Sequence, residues 1–125
     1  MLLMRFDSSS HIAEFVRAGH PPALVRRPDG EVLELSGGGS PPLGLMLEER
    51  RPSASVELAS GSRVLLYTDG LIERRGEVID EGVARLKRAF ADSADDLEAG
   101  LEEIIAGAAP ESAADDVAGL MMRID

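Results

Sequence analysis

Up to Glu73 the apolar residues come in short runs separated by turn-forming residues; beyond it they recur at helical spacing. Residues 2–6 predict a strand, and Asp7-Ser8-Ser9-Ser10 a polar turn. Residues 12–17 predict a second strand, with Ile12, Phe15 and Val16 as its apolar members. Ala18-Gly19-His20-Pro21-Pro22 breaks it, because proline cannot donate to a ladder and glycine frees the backbone. Residues 23–26 and 31–35, joined through Pro28-Asp29-Gly30, predict an antiparallel hairpin. The proline presets its φ and the glycine takes a positive one. Residues 36–42 form a glycine-rich loop, residues 43–47 predict a short strand, and residues 53–58 another.

The strand that organises the chain is expected at residues 64–67, an uninterrupted apolar run set between Gly61-Ser62 and Asp69-Gly70. A carboxylate where a rigid buried strand ends is well placed to hold a metal, and a glycine after it allows close approach to a ligand. Asp-Gly is also ordinary turn chemistry, so this stretch alone leaves both readings open. Val83, Leu86, Lys87 and Phe90 then outline a helical face over residues 80–91. Leu97, Leu101, Ile104 and Ile105 follow i, i+4, i+7, i+8, the stripe of a second helix ending at residues 107–110. Ser93 with Asp96 three residues on resembles a capping box for that second helix. Residues 118–124 predict a last strand, with Gly119 its weak point. Strands, then two helices, then a strand predict an α+β fold: antiparallel β-sheet with two helices on a face.

A chain of 125 residues holds at most one domain with a modest core. Cysteine is absent, which excludes disulfides and thiolate metal sites and fits a cytoplasmic location. No apolar run is long enough to cross a membrane, and Arg5 and Asp7 interrupt the apolar start, so neither a span nor a signal peptide is expected. The net charge of −10 is uneven: residues 1–75 hold nine basic and ten acidic side chains, residues 76–125 four and thirteen. That balance speaks against nucleic acid and anionic membrane as partners. Gly37-Gly38-Gly39 has no lysine after it and fits neither a P-loop nor a dinucleotide fingerprint. Ser36 and Ser40 have no histidine near them in sequence, so a hydrolase triad has no support. His11 has no motif around it. His20, between a glycine and two prolines, suits a structural hydrogen-bonding role rather than acid–base catalysis. Asp115-Asp116 before a strand is an ordinary solvated turn unless something positive sits beside the two repelling carboxylates.

Read together, Ala18-Gly19-His20-Pro21-Pro22, Pro42-Leu43-Gly44-Leu45, Tyr67-Thr68-Asp69-Gly70-Leu71-Ile72-Glu73 and Asp115-Asp116-Val117 stand in the order found in one family. The chain resembles the PPM-type metal-dependent protein serine/threonine phosphatases. Its branch is the stage II sporulation E type, which includes the environmental phosphatases of sigma-factor partner switching. The resemblance runs from Leu3 to Ile124 and covers the C-terminal part of the catalytic domain. Residues 1–125 are therefore expected to be a single partial domain, resembling the C-terminal part of the β-sandwich, without the early Gly-Asp-x-x-Asp metal motif.

The resemblance implies Mn²⁺ or Mg²⁺ as cofactor, with two ions and a bound water attacking phosphorus in line. It makes Asp69 and Asp115 the metal ligands, with Thr68, Gly70, Asp116 and His20 in support; a one-residue slip would exchange Asp115 and Asp116. Ala118 stands where the family usually has threonine, which removes a hydroxyl that could orient the neighbouring carboxylate. The implied reaction is hydrolysis of phosphoserine or phosphothreonine on a regulatory protein of the anti-sigma antagonist type. With one aspartate motif missing, weak or no activity is expected of the chain alone, and the alternative is a catalytically silent protein-binding module. A partial sandwich would also leave an apolar sheet face uncovered, which points to a homo-oligomer.

Overall fold

The computed structural model describes residues 1–45, 50–108 and 116–125. In chain order the elements are β1 (Leu2–Asp7), β2 (Ile12–Ala18), β3 (Ala23–Arg26), β4 (Val32–Leu35), β5 (Gly39–Ser40), β6 (Ala54–Glu57) and β7 (Arg63–Tyr67). A 3-10 turn (Asp69–Leu71), α1 (Ile79–Asp92), α2 (Leu97–Ala108) and β8 (Gly119–Arg123) follow. In one sheet β2 is central: β1 pairs with it antiparallel on one side, β6 antiparallel and β5 parallel on the other. The second sheet runs β4-β3-β7-β8 and is antiparallel throughout.

The apolar run at 64–67 needs no polar interruption because both faces of β7 are covered. Leu65 and Tyr67 point to the helices, where they pack with Leu24, Leu86, Phe90, Ile104 and Met121. Val64 points to the other sheet and joins Ala13, Phe15, Val25 and Leu58. The expected uncovered face on β7 is therefore not found. Exposed apolar side chains are instead scattered: Leu3 (62%) and Ile12 (43%) lie on the outer face of the first sheet, Leu120 (55%) lies on β8 of the second, and Leu43, Leu45, Val78 and Ile79 lie in turns or at the start of α1.

The hairpin of β3 and β4 turns at Gly30, whose φ of 91° is the left-handed conformation that glycine tolerates and whose N–H donates to Arg27 O at 2.9 Å. The expected strand at 43–47 is not formed over its described part: residues 43–45 lie in an exposed turn, and Met46 and Leu47 are outside the described residues. The predicted capping box divides between two helices. Asp96 caps α2 by accepting from the N–H groups of Glu98 and Ala99, whereas Ser93 ends α1 and donates its hydroxyl to Phe90 O. Among the described residues no helix is long and apolar enough to cross a membrane.

Candidate functional site

Antiparallel register decides which loops meet. Ala23 pairs with Leu35, Leu24 with Leu65, and Tyr67 with Gly119. One end of the second sheet therefore gathers the β2–β3 connection, the chain leaving β4, the exit of β7 and the entry to β8. These segments carry His20, the Gly37-Gly38-Gly39 loop, Thr68-Asp69-Gly70 and Asp116-Val117.

Thr68 joins two of them. Its N–H donates to Ala118 O at 3.0 Å, its Oγ1 accepts from Ala118 N–H at 2.9 Å, and its hydroxyl donates to Asp116 O at 2.9 Å. Pairing thus continues past the end of β8 and sets the backbone of Asp116 beside the start of the 3-10 turn. The Thr68 hydroxyl engages the backbone of Asp116 and Ala118, beside the alanine that stands where the family usually has threonine.

Asp69 opens the 3-10 turn and is exposed, with its Oδ1 accepting from Gly70 N–H at 3.0 Å. Its carbonyl accepts from the N–H groups of Ile72 and Glu73 at 2.9 and 2.8 Å, so the carboxylate stands on a backbone fixed on both sides. Gly70 is buried. Asp116 is exposed beside this turn. Asp115, the second expected ligand, lies outside the described residues. Oxygen donors of this kind suit hard divalent cations. However, no three histidine, aspartate or glutamate side chains converge among the described residues, so these donors do not by themselves complete an ion site.

His20 lies at the same end of the sheet and is held within its own loop. Its Nδ1 is 2.8 Å from Pro21 O, and its carbonyl accepts from Arg17 Nη1 at 2.9 Å. Arg17 also donates to Gly37 O at 3.1 Å and Ser36 O at 2.6 Å, tying the β2–β3 connection to the glycine-rich loop. Tyr67, one residue before Thr68, is buried, and its hydroxyl has no hydrogen-bond partner among the described residues. Burial, with the Glu34 carboxylate adding to it, pushes its phenol up to about 12.

The helical side of this corner carries no sequence motif. Gly82 of α1 packs so closely on the turn that an added Cβ would stand 1.9 Å from Ile72 O. Arg85, one turn on, pairs with Glu77 at 2.6 Å and holds that carboxyl below the usual range through its hydrogen bond. Arg85 stands beside the stripe of Gly82, Leu86 and Phe90, and no sequence pattern marks it. Its partners are eight to twenty-three residues away in sequence, where no spacing rule reaches.

A two-sheet sandwich with a helix pair on one face and an acidic corner between adjacent strand ends defines a PP2C-type phosphatase-related domain. The family described as Stage II sporulation protein E (SpoIIE) matches residues 1–125, and the chain belongs to it. Over 72 residues it is 33% identical to the phosphoserine phosphatase RsbP of Bacillus subtilis (strain 168), a stretch that is 58% of this chain and 18% of RsbP. The structure of the RsbU and RsbW domains of Rv1364c from Mycobacterium tuberculosis superposes with a TM-score of 0.69 and 28% identity, over 82% of this chain and 29% of that one. The phosphatase domain of the cell fate determinant SpoIIE from Bacillus subtilis, presoaked with manganese, superposes with a TM-score of 0.71 and 20% identity, a likeness of fold. That match takes in 100% of this chain and 56% of the other. The chain therefore spans less than two thirds of each of these relatives.

Proposed function

We propose that the corner built by Thr68, Asp69, Gly70 and Asp115-Asp116 contributes to the centre of a metal-dependent protein serine/threonine phosphatase. Asp69 and Asp115 are the ligands for Mn²⁺ or Mg²⁺ in this reading, and His20 braces the adjoining loop. A bound divalent ion would offset charge on phosphoryl oxygens. The substrate is phosphoserine or phosphothreonine on a regulatory protein of the anti-sigma antagonist type, in the cytoplasm. The observation that supports this reading is the reciprocal pair of hydrogen bonds between Thr68 and Ala118, with a third from the Thr68 hydroxyl to Asp116 O, which draws two acidic segments 48 residues apart to one edge.

A second reading is a phosphatase-like domain that binds its partner protein without turnover. It is favoured by Ala118, which puts no hydroxyl where the family usually has threonine. Leu3 and Ile12 on the outer sheet face would in either case suit self-association as a homo-oligomer.

The test is release of phosphate from a phosphoserine peptide in excess Mn²⁺, beside a calorimetric Mn²⁺ titration, for the wild type and Asp69→Asn. Binding that Asp69→Asn abolishes, with turnover in the wild type alone, supports the phosphatase. Binding without turnover leaves the protein-binding domain, and no Asp69-dependent binding removes the metal reading.

A further inference from the structure

Arg85 sits on α1 with its side chain 14% exposed, and its guanidinium reaches three separate segments. Nη1 donates to both Glu77 carboxylate oxygens at 2.6 and 2.7 Å, Nη2 to Ile72 O at 3.3 Å, and Nε to Ala108 O at 3.2 Å. Ile72 directly follows the 3-10 turn, and its own N–H is bonded to Asp69 O. Ala108 is the last residue of α2, at the head of the stretch that leads to Asp115 and Asp116. Arg74 donates to the same carbonyl at 3.4 Å.

We propose that Arg85 is a positioning residue for the acidic corner, a single planar group that fixes the backbone just after Asp69 and ties it to the C-terminal end of α2. The inference rests on reading that corner as the phosphatase centre. A guanidinium offers five donors in a rigid fork, so one side chain can hold a carboxylate and two carbonyls at once; an ammonium on a flexible stem cannot match those three directions together. The carbonyl of Ala108 belongs to the last turn of α2, where carbonyls lack intrahelical partners, and Arg85 supplies one. Glu77 orients the fork from the opposite side. Because α1 is seated on the turn through Gly82, a shift of α1 would be carried by Arg85 to the backbone just after Asp69.

The experiment is amide hydrogen exchange by NMR on the full chain, wild type against Arg85→Ala, Arg85→Lys and Glu77→Gln, with Mn²⁺ then added to the same samples. In Arg85→Ala, exchange at Leu71, Ile72 and Glu73 should rise by about tenfold or more relative to Ala13 and Phe15 in the first sheet, with Arg85→Lys between it and wild type. The Mn²⁺ concentration that broadens the Asp69–Leu71 signals should rise by about ten- to a hundredfold, as is typical when a partner outside the ligand shell is lost. Uniform acceleration over both sheets, or no acceleration at the turn, would each overturn the proposal, whereas a smaller effect of Glu77→Gln is expected because Glu77 orients the fork. Wild-type signals that Mn²⁺ leaves unbroadened would refute the metal reading instead, while the exchange comparison still judges Arg85.

Discussion

Thr68 and Ala118 face each other across the ends of β7 and β8 with hydrogen bonds running both ways. The Thr68 N–H donates to Ala118 O at 3.0 Å, and Thr68 Oγ1 accepts from Ala118 N–H at 2.9 Å. The side chain thus does what a further pair of strand residues would do, and adds a bond to Asp116 O. Thr68→Val keeps the shape and removes the oxygen, leaving the Ala118 N–H and the Asp116 carbonyl without it. The expected loss is about 1–2 kcal/mol in urea unfolding, with faster amide exchange at Val117 and Ala118. Thr68→Ser should retain most of the stability; equal behaviour of the two variants would contradict the clamp.

Tyr67 is the only tyrosine and there is no tryptophan, so ultraviolet absorbance of tyrosinate reports on this one group. Its folded-state value of about 12 lies above the ordinary 10. A group raised in the folded state contributes its stability below the unfolded value and loses it as pH climbs through the folded one. Stability should therefore fall between pH 10 and 12, by about 2–3 kcal/mol in all. Tyr67→Phe should remove that alkaline loss and cost little at neutral pH, since among the described residues the hydroxyl has no partner to forfeit.

Two helical glycines should respond in opposite senses to alanine. At Gly82 the new methyl would meet the Ile72 carbonyl at 1.9 Å, which neither backbone can avoid without moving. Gly82→Ala is expected to destabilise by about 1–3 kcal/mol despite its better helix propensity. At Gly107 the nearest atom is Ala89 Cβ at 3.6 Å, an ordinary contact, so Gly107→Ala should stabilise by up to about 1 kcal/mol. Chemical denaturation of both variants checks the pair.

Arg63 opens β7 and is 4% exposed. It donates to the carbonyls of Ala94 and Ser93 and lies over the Phe90 ring at 5.9 Å, fastening the α1–α2 junction to the sheet. Arg63→Lys loses the fork and should destabilise by about 1–3 kcal/mol, measured by thermal or urea unfolding. Its ion-pair partner Asp95, at 3.4 Å, has a side chain 96% exposed. Asp95→Asn is accordingly expected to change stability by less than about 1 kcal/mol.

The sequence by itself determined the elements whose cause is local. The hairpin of β3 and β4 was legible because Pro28-Asp29-Gly30 dictates a turn, and the helices because Leu86 and Phe90, or Leu101 and Ile104, repeat at helical spacing. The family was legible too, because Thr68-Asp69-Gly70 and Asp115-Asp116 keep recognisable neighbours in order. What only the tertiary structure decided depends on partners distant along the chain. The uninterrupted run at 64–67 implies burial on both faces of β7, but which sheet and which helices cover those faces is set by elements distant along the chain. Ser93 and Asp96 have the spacing of one cap, but the side chains serve different helices because α1 ends at Asp92. The clamp from Thr68 to Ala118 spans 50 residues, and the reach of Arg85 to Ala108 spans 23. Both are products of antiparallel register and helix packing, which bring side chains together by geometry in space rather than by spacing in sequence.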